Sequence, residues 1–442
     1  MVTVVAVIGV TQGVPQACAV GPPPVDGGAL PAPATPAPPH PSVQQQVCAV
    51  AAWDPAVEAT QTDGLDLPAV WALTRGEGQR VAVIDTGVAR HRRLPNLVAG
   101  GDYVSTGDGT ADCDGHGTLV AGIIGAATDP AGDRFGGLAP RATIIGIRQS
   151  SATFAVAGRA AGVGDVNTLA QAVRTAADLG ASVINISTVA CRPATAGLDD
   201  KALGAALAYA VEVKGAVVVT AAGNTDDGCG GAEPMIVSPA WYDAYVLTVG
   251  SVNADGAPSA FSARSPWVDV AAPGEAVLSL STVGDAMANS VGGKPIRGTS
   301  FAAPVVSGLA ALIRSRFPQW TPRQVMERII STAHHPPGGR DDAIGAGVID
   351  PLAAVSVAAR QAGPDGAESA LAPDGGASDP VPPPAWSTTP AAQAAPPAPR
   401  AAPDGLRTAL TGTAALLTLL LAALTGRALS ARRRAPTEPA GD

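Results

Sequence analysis

Residues 80–87 read Arg-Val-Ala-Val-Ile-Asp-Thr-Gly, and this stretch indicates the fold of the chain. Its apolar run, residues 81–84, is too short for a helix and has no polar face, so it predicts a strand that is buried on both sides. An acidic residue, Asp85, ends the strand, and Gly87 follows in a turn. Strands of this kind are typical of parallel sheets. Similar short apolar runs lie at residues 142–147, 182–186, 216–221 and 245–252.

Helical patterns lie between several of these predicted strands. Asp165 can cap a helix whose apolar residues recur every three or four positions from 166 to 177. A second stripe of this type covers residues 198–213. Strands that alternate with helices favour an α/β fold, in which a parallel sheet is covered by helices on both faces. Such sheets hold their reactive groups at the carboxyl ends of the strands, where Asp85 and Asn224 fall.

Composition indicates one large domain with additional segments at both ends. The chain has 442 residues, with 52 Gly, 41 Pro and a formal net charge of −9. This charge disfavours nucleic acid as a partner, because phosphate binding requires clustered Lys and Arg. Proline is concentrated near both ends of the chain, and the stretch between these blocks is long enough to bury a large core. We therefore expect a Pro-rich extension at residues 20–63, a domain at 64–360 and an Ala/Pro-rich linker at 361–405.

Both ends of the chain indicate export. Residues 1–19 contain an apolar run and the small-residue site Ala17-Cys18-Ala19, and so resemble the end of a secretory signal peptide. A loose apolar N-terminus is the alternative. Residues 408–426 carry no charge and can span a bilayer, so we expect a transmembrane helix at 406–427. Arginines follow it directly, which predicts a cytoplasmic tail at 428–442 and a domain outside the membrane.

The cysteines agree with an oxidising compartment. Four remain after removal of the predicted signal peptide: Cys48, Cys113, Cys191 and Cys229. An even number is typical of exported proteins with disulfides, and four cysteines allow three pairings, among which the spacing does not choose. Because no Cys-x-x-Cys spacing occurs, we expect no zinc site. No other metal site and no cofactor is indicated by the sequence.

Three segments carry residues that are suited to covalent catalysis: Val81-Ala-Val-Ile-Asp85-Thr-Gly87, Asp114-Gly-His116-Gly-Thr118 and Gly298-Thr-Ser300-Phe-Ala-Ala-Pro304. A serine hydroxyl is a weak nucleophile until an imidazole removes its proton. The imidazole in turn needs a carboxylate on its other nitrogen to fix its tautomer. A serine at a helix start also offers a free backbone N–H to a developing oxyanion. Asn224, after a predicted strand, can supply a second donor to that oxyanion.

Each of these residues taken alone has another interpretation. A single Asp-Thr-Gly also marks aspartic proteases, but these need two copies for their carboxylate pair and the chain has one. A histidine between glycines is often a turn residue, and an asparagine after glycine tolerates a positive φ in a turn. The joint occurrence of all four in the order Asp, His, Asn, Ser favours a serine peptidase.

In these motifs and their order, the sequence resembles the subtilisin-like (S8) serine peptidases over about residues 64–360. The resemblance implies a three-layer α/β/α fold with a mostly parallel central sheet. It implies that Asp85 orients the general base His116 and that Ser300 is the nucleophile. Asn224 would be the oxyanion donor. The residues that would contact the substrate are Ser187, Thr188 and Gly223.

A narrower resemblance is to the mycosins, the membrane-anchored subtilisin-like proteases of type VII secretion systems. The shared features are the N-terminal extension, the segment Asp112-Cys-Asp-Gly-His116-Gly-Thr118 and the linker before a C-terminal anchor. This resemblance implies processing of exported proteins at the cell envelope. It also implies a protease-independent role in stabilising the membrane secretion complex. Two further implications are an extension that wraps the catalytic domain and the disulfides Cys48–Cys113 and Cys191–Cys229.

One segment departs from the family pattern. Residues 187–190 read Ser-Thr-Val-Ala, where secreted subtilisins often carry Ser-Leu-Gly-Gly, so we expect a restricted cleft and low activity on general protein substrates. Residues 149–164 predict a long loop without regular structure, which is a favoured site of cleavage. Four histidines have no motif around them and are expected at the surface: His40, His91, His334 and His335. Two functions remain open, a specific endopeptidase and a structural subunit of a secretion complex.

Overall fold

The structure is a computed structural model in which residues 21–129, 131–133, 135–159, 162–230 and 233–356 are described. Four predicted segments lie outside these residues: the signal peptide (1–19), the linker (361–405), the transmembrane helix (406–427) and the tail (428–442). Among the described residues, no helix combines the length and the apolar character needed to cross a membrane.

Short strands and helices follow one another along the described part of the chain. The strands are β1 (Ser42–Gln44), β2 (Ala51–Ala52), β3 (Arg80–Asp85), β4 (Leu97–Asp102), β5 (Thr143–Arg148), β6 (Phe154–Val156), β7 (Val183–Ile186), β8 (Ala190–Pro193), β9 (Val217–Ala221), β10 (Met235–Ser238), β11 (Leu247–Val252), β12 (Val270–Pro273), β13 (Ser279–Leu280), β14 (Met287–Ala288), β15 (Ser290–Val291) and β16 (Lys294–Pro295). The helices are α1 (Leu67–Leu73), α2 (His116–Gly125), α3 (Val166–Asp178), α4 (Lys201–Ala208), α5 (Thr299–Arg316), α6 (Pro322–Ser331) and α7 (Pro351–Val355).

The centre of the domain is a seven-stranded sheet in the order β12-β11-β9-β7-β3-β5-β4, and its neighbouring strands are all parallel. The apolar residues of β3 are 0% exposed, as a parallel sheet that is covered on both faces requires. The five predicted strands are β3, β5, β7, β9 and β11, and their ends agree with the prediction to within two residues. The two edge strands were missed, β4 because it contains two glycines and is partly exposed, and β12 because it has only 4 residues.

Two pairs of helices pack beside the sheet, α2 with α5 and α3 with α4. Helix α3 begins as predicted, since the Asp165 side chain accepts the N–H groups of Asn167 (3.0 Å) and Thr168 (2.8 Å). The second predicted helix is α4, followed by a π-helical turn at Tyr209–Val213. Helix α5 is buried along most of its length and contacts β7, β9, β11 and β12. The result is the α/β fold with a parallel central sheet that the sequence predicts.

The N-terminal extension is held against the domain at several places. Strand β1 pairs antiparallel with β6, and β2 pairs antiparallel with β15. Cys48, between β1 and β2, is bonded to Cys113, with their Cα atoms 4.5 Å apart. Gln61, near the end of the extension, is 5% exposed, and its Nε2 donates to the carbonyl of Phe301 over 2.8 Å. The extension therefore reaches both the region before α2 and the start of α5.

Residues 149–164 correct one expectation, because they are not a loop without regular structure. Strand β6 lies within them, and a bridge between Ser151 and Val163 closes the segment at its base. The Asp114 side chain accepts the N–H groups of Ala152 (2.8 Å) and Thr153 (3.0 Å), which fixes the turn before β6. The strand that pairs with β6 lies in the extension, far away in sequence, so the local pattern could not reveal it.

His91 corrects a second expectation, because it is 6% exposed and not a surface residue. Its Nδ1 accepts the N–H of Arg93 (3.0 Å), and its Nε2 donates to the carbonyl of Ala286 (3.2 Å). Burial lowers the pKa of His91, which favours the neutral ring that can act as acceptor and donor at once. The other three histidines without a motif, His40, His334 and His335, are exposed as expected.

Candidate active site

The predicted catalytic segments meet at the carboxyl edge of the sheet. Asp85 is the last residue of β3, and Asn224 follows the end of β9. His116 is the first residue of α2, and Ser300 is the second residue of α5. Because parallel strands present their carboxyl ends at one edge and α2 packs on α5, the topology brings these distant segments together.

Asp85 and His116 are joined by a hydrogen bond. His116 Nδ1 donates to Asp85 Oδ1 over 2.8 Å, and the Asp85 side chain is 0% exposed. The same carboxylate oxygen accepts the N–H of Thr86 at 2.7 Å. With its proton on Nδ1, the neutral ring leaves Nε2 free to accept another proton. Burial lowers the pKa of His116, but the charge of Asp85 and its hydrogen bond outweigh burial, so this pKa lies above 6.5.

Asp112 is a second carboxylate beside the site, partly buried, for which the sequence predicts no role. Its Oδ1 accepts the hydroxyl of Thr86 (2.9 Å), and its Oδ2 accepts the N–H (2.8 Å) and the hydroxyl (2.7 Å) of Thr118. These bonds fix the first turn of α2, which begins with His116. Burial raises the pKa of Asp112 to about 6, against the effect of the hydrogen bonds from Thr118. The available signal was an acidic residue just before a helix start, where a carboxylate commonly binds free N–H groups.

Ser300 lies in the first turn of α5. The ring of Phe301, the next residue, has its centroid 5.1 Å from that of His116. Pro304 has no N–H, so the carbonyl of Ser300, four residues earlier, lacks its helical hydrogen bond. The hydroxyl of Ser187 fills this gap by donating to that carbonyl over 2.8 Å. Ser187 therefore fixes the backbone at Ser300.

The predicted substrate-contacting residues occupy different environments. The Ser187 side chain is 3% exposed, and its hydroxyl also accepts Asn185 Nδ2 at 2.9 Å. Because the Ser187 side chain supports α5, the predicted contact of Ser187 with substrate would be made by its main chain. Thr188 lines a shallow pocket of about 200 Å³ together with Gly164 and Leu169. Gly223 is buried, with φ at 93°.

The second disulfide joins two segments beside the site. Cys191 in β8 is bonded to Cys229, which follows Asn224, and their Cα atoms are 5.0 Å apart. A Cβ placed on Gly223 would lie 2.7 Å from the Sγ of Cys229, so the close approach requires glycine. The structure thus contains both cysteine pairs that the family resemblance implies. Within the described ranges, no group of three or more His, Cys, Asp and Glu side chains could hold a metal ion.

The Asn224 side chain is hydrogen-bonded at both of its ends. Its Oδ1 accepts the N–H (3.0 Å) and the hydroxyl (2.9 Å) of Thr299. Its Nδ2 donates to Asp227 Oδ2 over 2.9 Å. A Cβ placed on Gly298 would lie 3.5 Å from this Nδ2, so the amide nitrogen faces the backbone just before Ser300.

Comparison with known proteins identifies the family. A sequence profile of the Subtilase family matches residues 76–347. Mycosin-4 of Mycobacterium tuberculosis is 63% identical over 366 residues, which are 78% of this chain and 80% of that protein. The solved structure of MycP3 protease from the type VII (ESX-3) secretion system is 42% identical, covers 76% of this chain and 100% of its own, and gives a TM-score of 0.70. A chain in the periplasmic assembly from the ESX-5 inner membrane complex is 39% identical, covers 80% of this chain and 98% of its own, and gives a TM-score of 0.70. The chain therefore belongs to the Subtilase family and, within it, to the mycosins, and it is a serine endopeptidase.

Proposed function

We propose that Asp85, His116 and Ser300 form the catalytic triad of this endopeptidase and that Asn224 is its oxyanion donor. The observation that carries this proposal is the hydrogen bond of 2.8 Å between His116 Nδ1 and the buried Asp85. It lies at the carboxyl edge of the sheet, and the Phe301 ring next to Ser300 contacts the same imidazole. This arrangement provides a base, a carboxylate that orients it and a serine at a helix start.

The proposed reaction proceeds through an acyl-enzyme. His116 Nε2 removes the proton of the Ser300 hydroxyl while the serine oxygen attacks the substrate carbonyl carbon. Asp85 stabilises the imidazolium that forms. The substrate oxygen becomes negative and accepts hydrogen bonds from the backbone N–H of Ser300 and from Asn224 Nδ2. His116 then protonates the leaving amine and afterwards removes a proton from the water that hydrolyses the ester.

We propose that the substrates are a small set of proteins exported by a type VII secretion system. The similarity to MycP3, named as a protease of such a system, supports this assignment. The segment from Ser187 to Ala190 supports a narrow specificity, because Val189 and Ala190 stand where secreted subtilisins often have glycine and line the shallow pocket together with Thr188. Side chains at these positions restrict the polypeptides that can pair with the cleft edge.

We propose that residues 406–427 anchor the protein in the membrane, with residues 428–442 in the cytoplasm and the peptidase domain outside. The uncharged run before the terminal arginines supports this orientation, as do the two disulfides of the domain. A chain that ends at residue 405 should be released from the membrane fraction if this proposal is correct. Retention of that truncated chain in the membrane fraction would argue against the anchor.

A second candidate function is a structural one, as a subunit that stabilises a membrane secretion complex. It is favoured by the similarity to a chain in the periplasmic assembly from the ESX-5 inner membrane complex. This role does not require the hydroxyl of Ser300 and is compatible with proteolysis.

The two functions are separated by comparing wild type, Ser300→Ala and a deletion of the whole chain in the native host. Processing and total secretion of exported proteins are measured together. Ser331→Ala is the matched control, because Ser331 is an exposed residue of α6. Loss of processing with intact secretion in Ser300→Ala supports the protease with a separable structural role. If Ser300→Ala changes neither and the deletion abolishes secretion, the structural function prevails and the proposed substrates are wrong.

A further inference from the structure

The side-chain amide of Asn224, the proposed oxyanion donor, also donates a hydrogen bond to the carboxylate of Asp227. Asp227 takes no part in the reaction described above. Thr299 donates its N–H and its hydroxyl to one end of the Asn224 side chain, which identifies that end as the carbonyl oxygen. The other end is therefore the NH₂ group, and it donates to Asp227 Oδ2 at 2.9 Å. An amide NH₂ group has two hydrogens, so the Asp227 carboxylate occupies one of them and a developing oxyanion would take the other.

The backbone keeps Asp227 in this place. Residues Thr225–Asp227 form a 3₁₀ turn directly after Asn224, and Gly228 ends the turn with φ at 83°. The N–H of Asp227 donates to the carbonyl of Asn224 at 3.1 Å, and so does the N–H of Cys229 at 3.1 Å. Cys229 is in turn bonded to Cys191. The turn that carries Asp227 is thus fixed at both of its ends.

The two acidic residues of this turn, Asp226 and Asp227, have different partners. Asp226 forms an ion pair with Arg297 at 2.9 Å. Asp227 itself makes no ion pair with any residue in the described ranges. Asp227 is exposed, and its carboxylate lies within hydrogen-bond distance of the Asn224 nitrogen that would receive the negative oxygen of the transition state.

We propose that Asp227 is a positioning residue that restrains turnover, because its carboxylate holds the Asn224 amide and its charge opposes the oxyanion at the same NH₂ group. This inference rests on the proposed role of Asn224. The two N–H bonds diverge, so the two anionic oxygens would lie about 5 Å apart. Repulsion at this distance slows the reaction about 4-fold in a water-like dielectric and about 15-fold at half that dielectric. The carboxylate of Asp227 thus lowers the turnover rate of the endopeptidase.

The test uses full-length protein in detergent and a rhodamine-tagged fluorophosphonate, which reacts with activated serines and needs no known substrate. Attack on its phosphorus also places negative charge on an oxygen at the oxyanion site. Asp227→Asn retains an acceptor for the Asn224 amide and removes the charge. Asp226→Asn is the matched control. It removes an equal charge from the neighbouring residue, whose side chain is paired with Arg297. The maximal rate of labelling and the half-saturating probe concentration are measured separately at 20 mM and 500 mM salt.

We expect Asp227→Asn to raise the maximal labelling rate about 4- to 15-fold at low salt, with an unchanged half-saturating concentration. Asp226→Asn should label like wild type. High salt should accelerate wild type and narrow the difference, because it screens exposed charges. If Asp227→Asn labels no faster than Asp226→Asn, or labels more slowly than wild type, the restraint is overturned.

If Asp227→Asn does not label faster, two further variants show whether the role of Asp227 or the proposed catalytic site is wrong. Ser300→Ala should abolish labelling, and Asn224→Ala should slow it by about 10²- to 10³-fold. If both results are obtained while Asp227→Asn has no effect, the proposed function stands and the inference about Asp227 fails. If Asn224→Ala labels as fast as wild type, the assignment of the oxyanion donor itself is wrong. Asp227→Asn has nearly the same shape as the native side chain, so equal melting temperatures are expected for the two proteins.

Discussion

The disulfide between the extension and the catalytic domain should account for a large part of the stability of the domain. Cys48 and Cys113 are separated by 65 residues, and their bond closes the whole segment from the extension through β3 and β4 to the start of α2. In the chain-entropy account, a closed loop of this length stabilises the folded state by about 4.3 kcal/mol at 25 °C. The described part of the chain unfolds with an entropy of about 0.7 kcal/mol per degree, so the loss of the bond should lower Tm by about 6 °C.

The assay is thermal unfolding of the full-length Cys48→Ser/Cys113→Ser variant in detergent, followed by circular dichroism. Mass mapping of a non-reduced digest of wild type first establishes which cysteines are paired. Cys191→Ser/Cys229→Ser is the matched control, because its cysteines are 38 residues apart and its bond should contribute about 3.9 kcal/mol in the same account. Both double variants should lose nearly the same stability, and a reductant should lower the Tm of wild type further than that of either variant.

A Tm that falls by less than 1 °C in the Cys48→Ser/Cys113→Ser variant would refute this reasoning. It would mean that pairing of β1 with β6 and of β2 with β15 persists in the unfolded state and already restricts the extension there, so that the disulfide adds little. A peptide in the digest that joins Cys48 to Cys191 or Cys229 would refute the pairing itself. A loss of labelling by fluorophosphonate without a change in Tm would show that the bond acts on the site and not on stability.

Three further predictions concern the site. The value of kcat/KM should rise with pH and reach half of its plateau above pH 6.5, because His116 must be neutral and the charge and hydrogen bond of Asp85 raise the pKa of His116. A maximum near pH 4 in a pH–rate profile would contradict this. Asp85→Asn should lower kcat by about 10⁴-fold with an unchanged circular dichroism spectrum, because the amide favours the wrong tautomer of the histidine; a loss below 10-fold would argue against the role of Asp85. Gly117→Ala should destabilise the domain by about 1–3 kcal/mol, since the added Cβ would lie 2.0 Å from the carbonyl oxygen of Gly87. Equal urea midpoints for variant and wild type would show that α2 can move away from Gly87.

The sequence by itself determined the class of fold and the identity of the family. Short runs such as residues 81–84 leave no face polar, and such strands are stable only inside a parallel sheet that helices cover. The cap at Asp165 was also predictable, because a carboxylate before an apolar stripe binds the free N–H groups of the first turn. Asp85, His116, Asn224 and Ser300 could be predicted as site residues because each lies in a short motif whose residues are adjacent in the chain. These signals are local, and local patterns are what a single sequence displays.

The tertiary structure alone decided how groups that are distant in the chain support each other. The hydroxyl of Ser187, a predicted substrate-contacting residue, binds the carbonyl that Pro304 leaves without a helical partner. Strand β6 exists because the extension supplies its partner strand, and His91 is buried because Ala286 lies opposite its ring. Asp112 and Asp227 gain their importance from the charge and hydrogen bonds around them, which no motif records. Their physical basis is the same, since burial and electrostatic coupling depend on distances in space, and only the folded chain sets those distances.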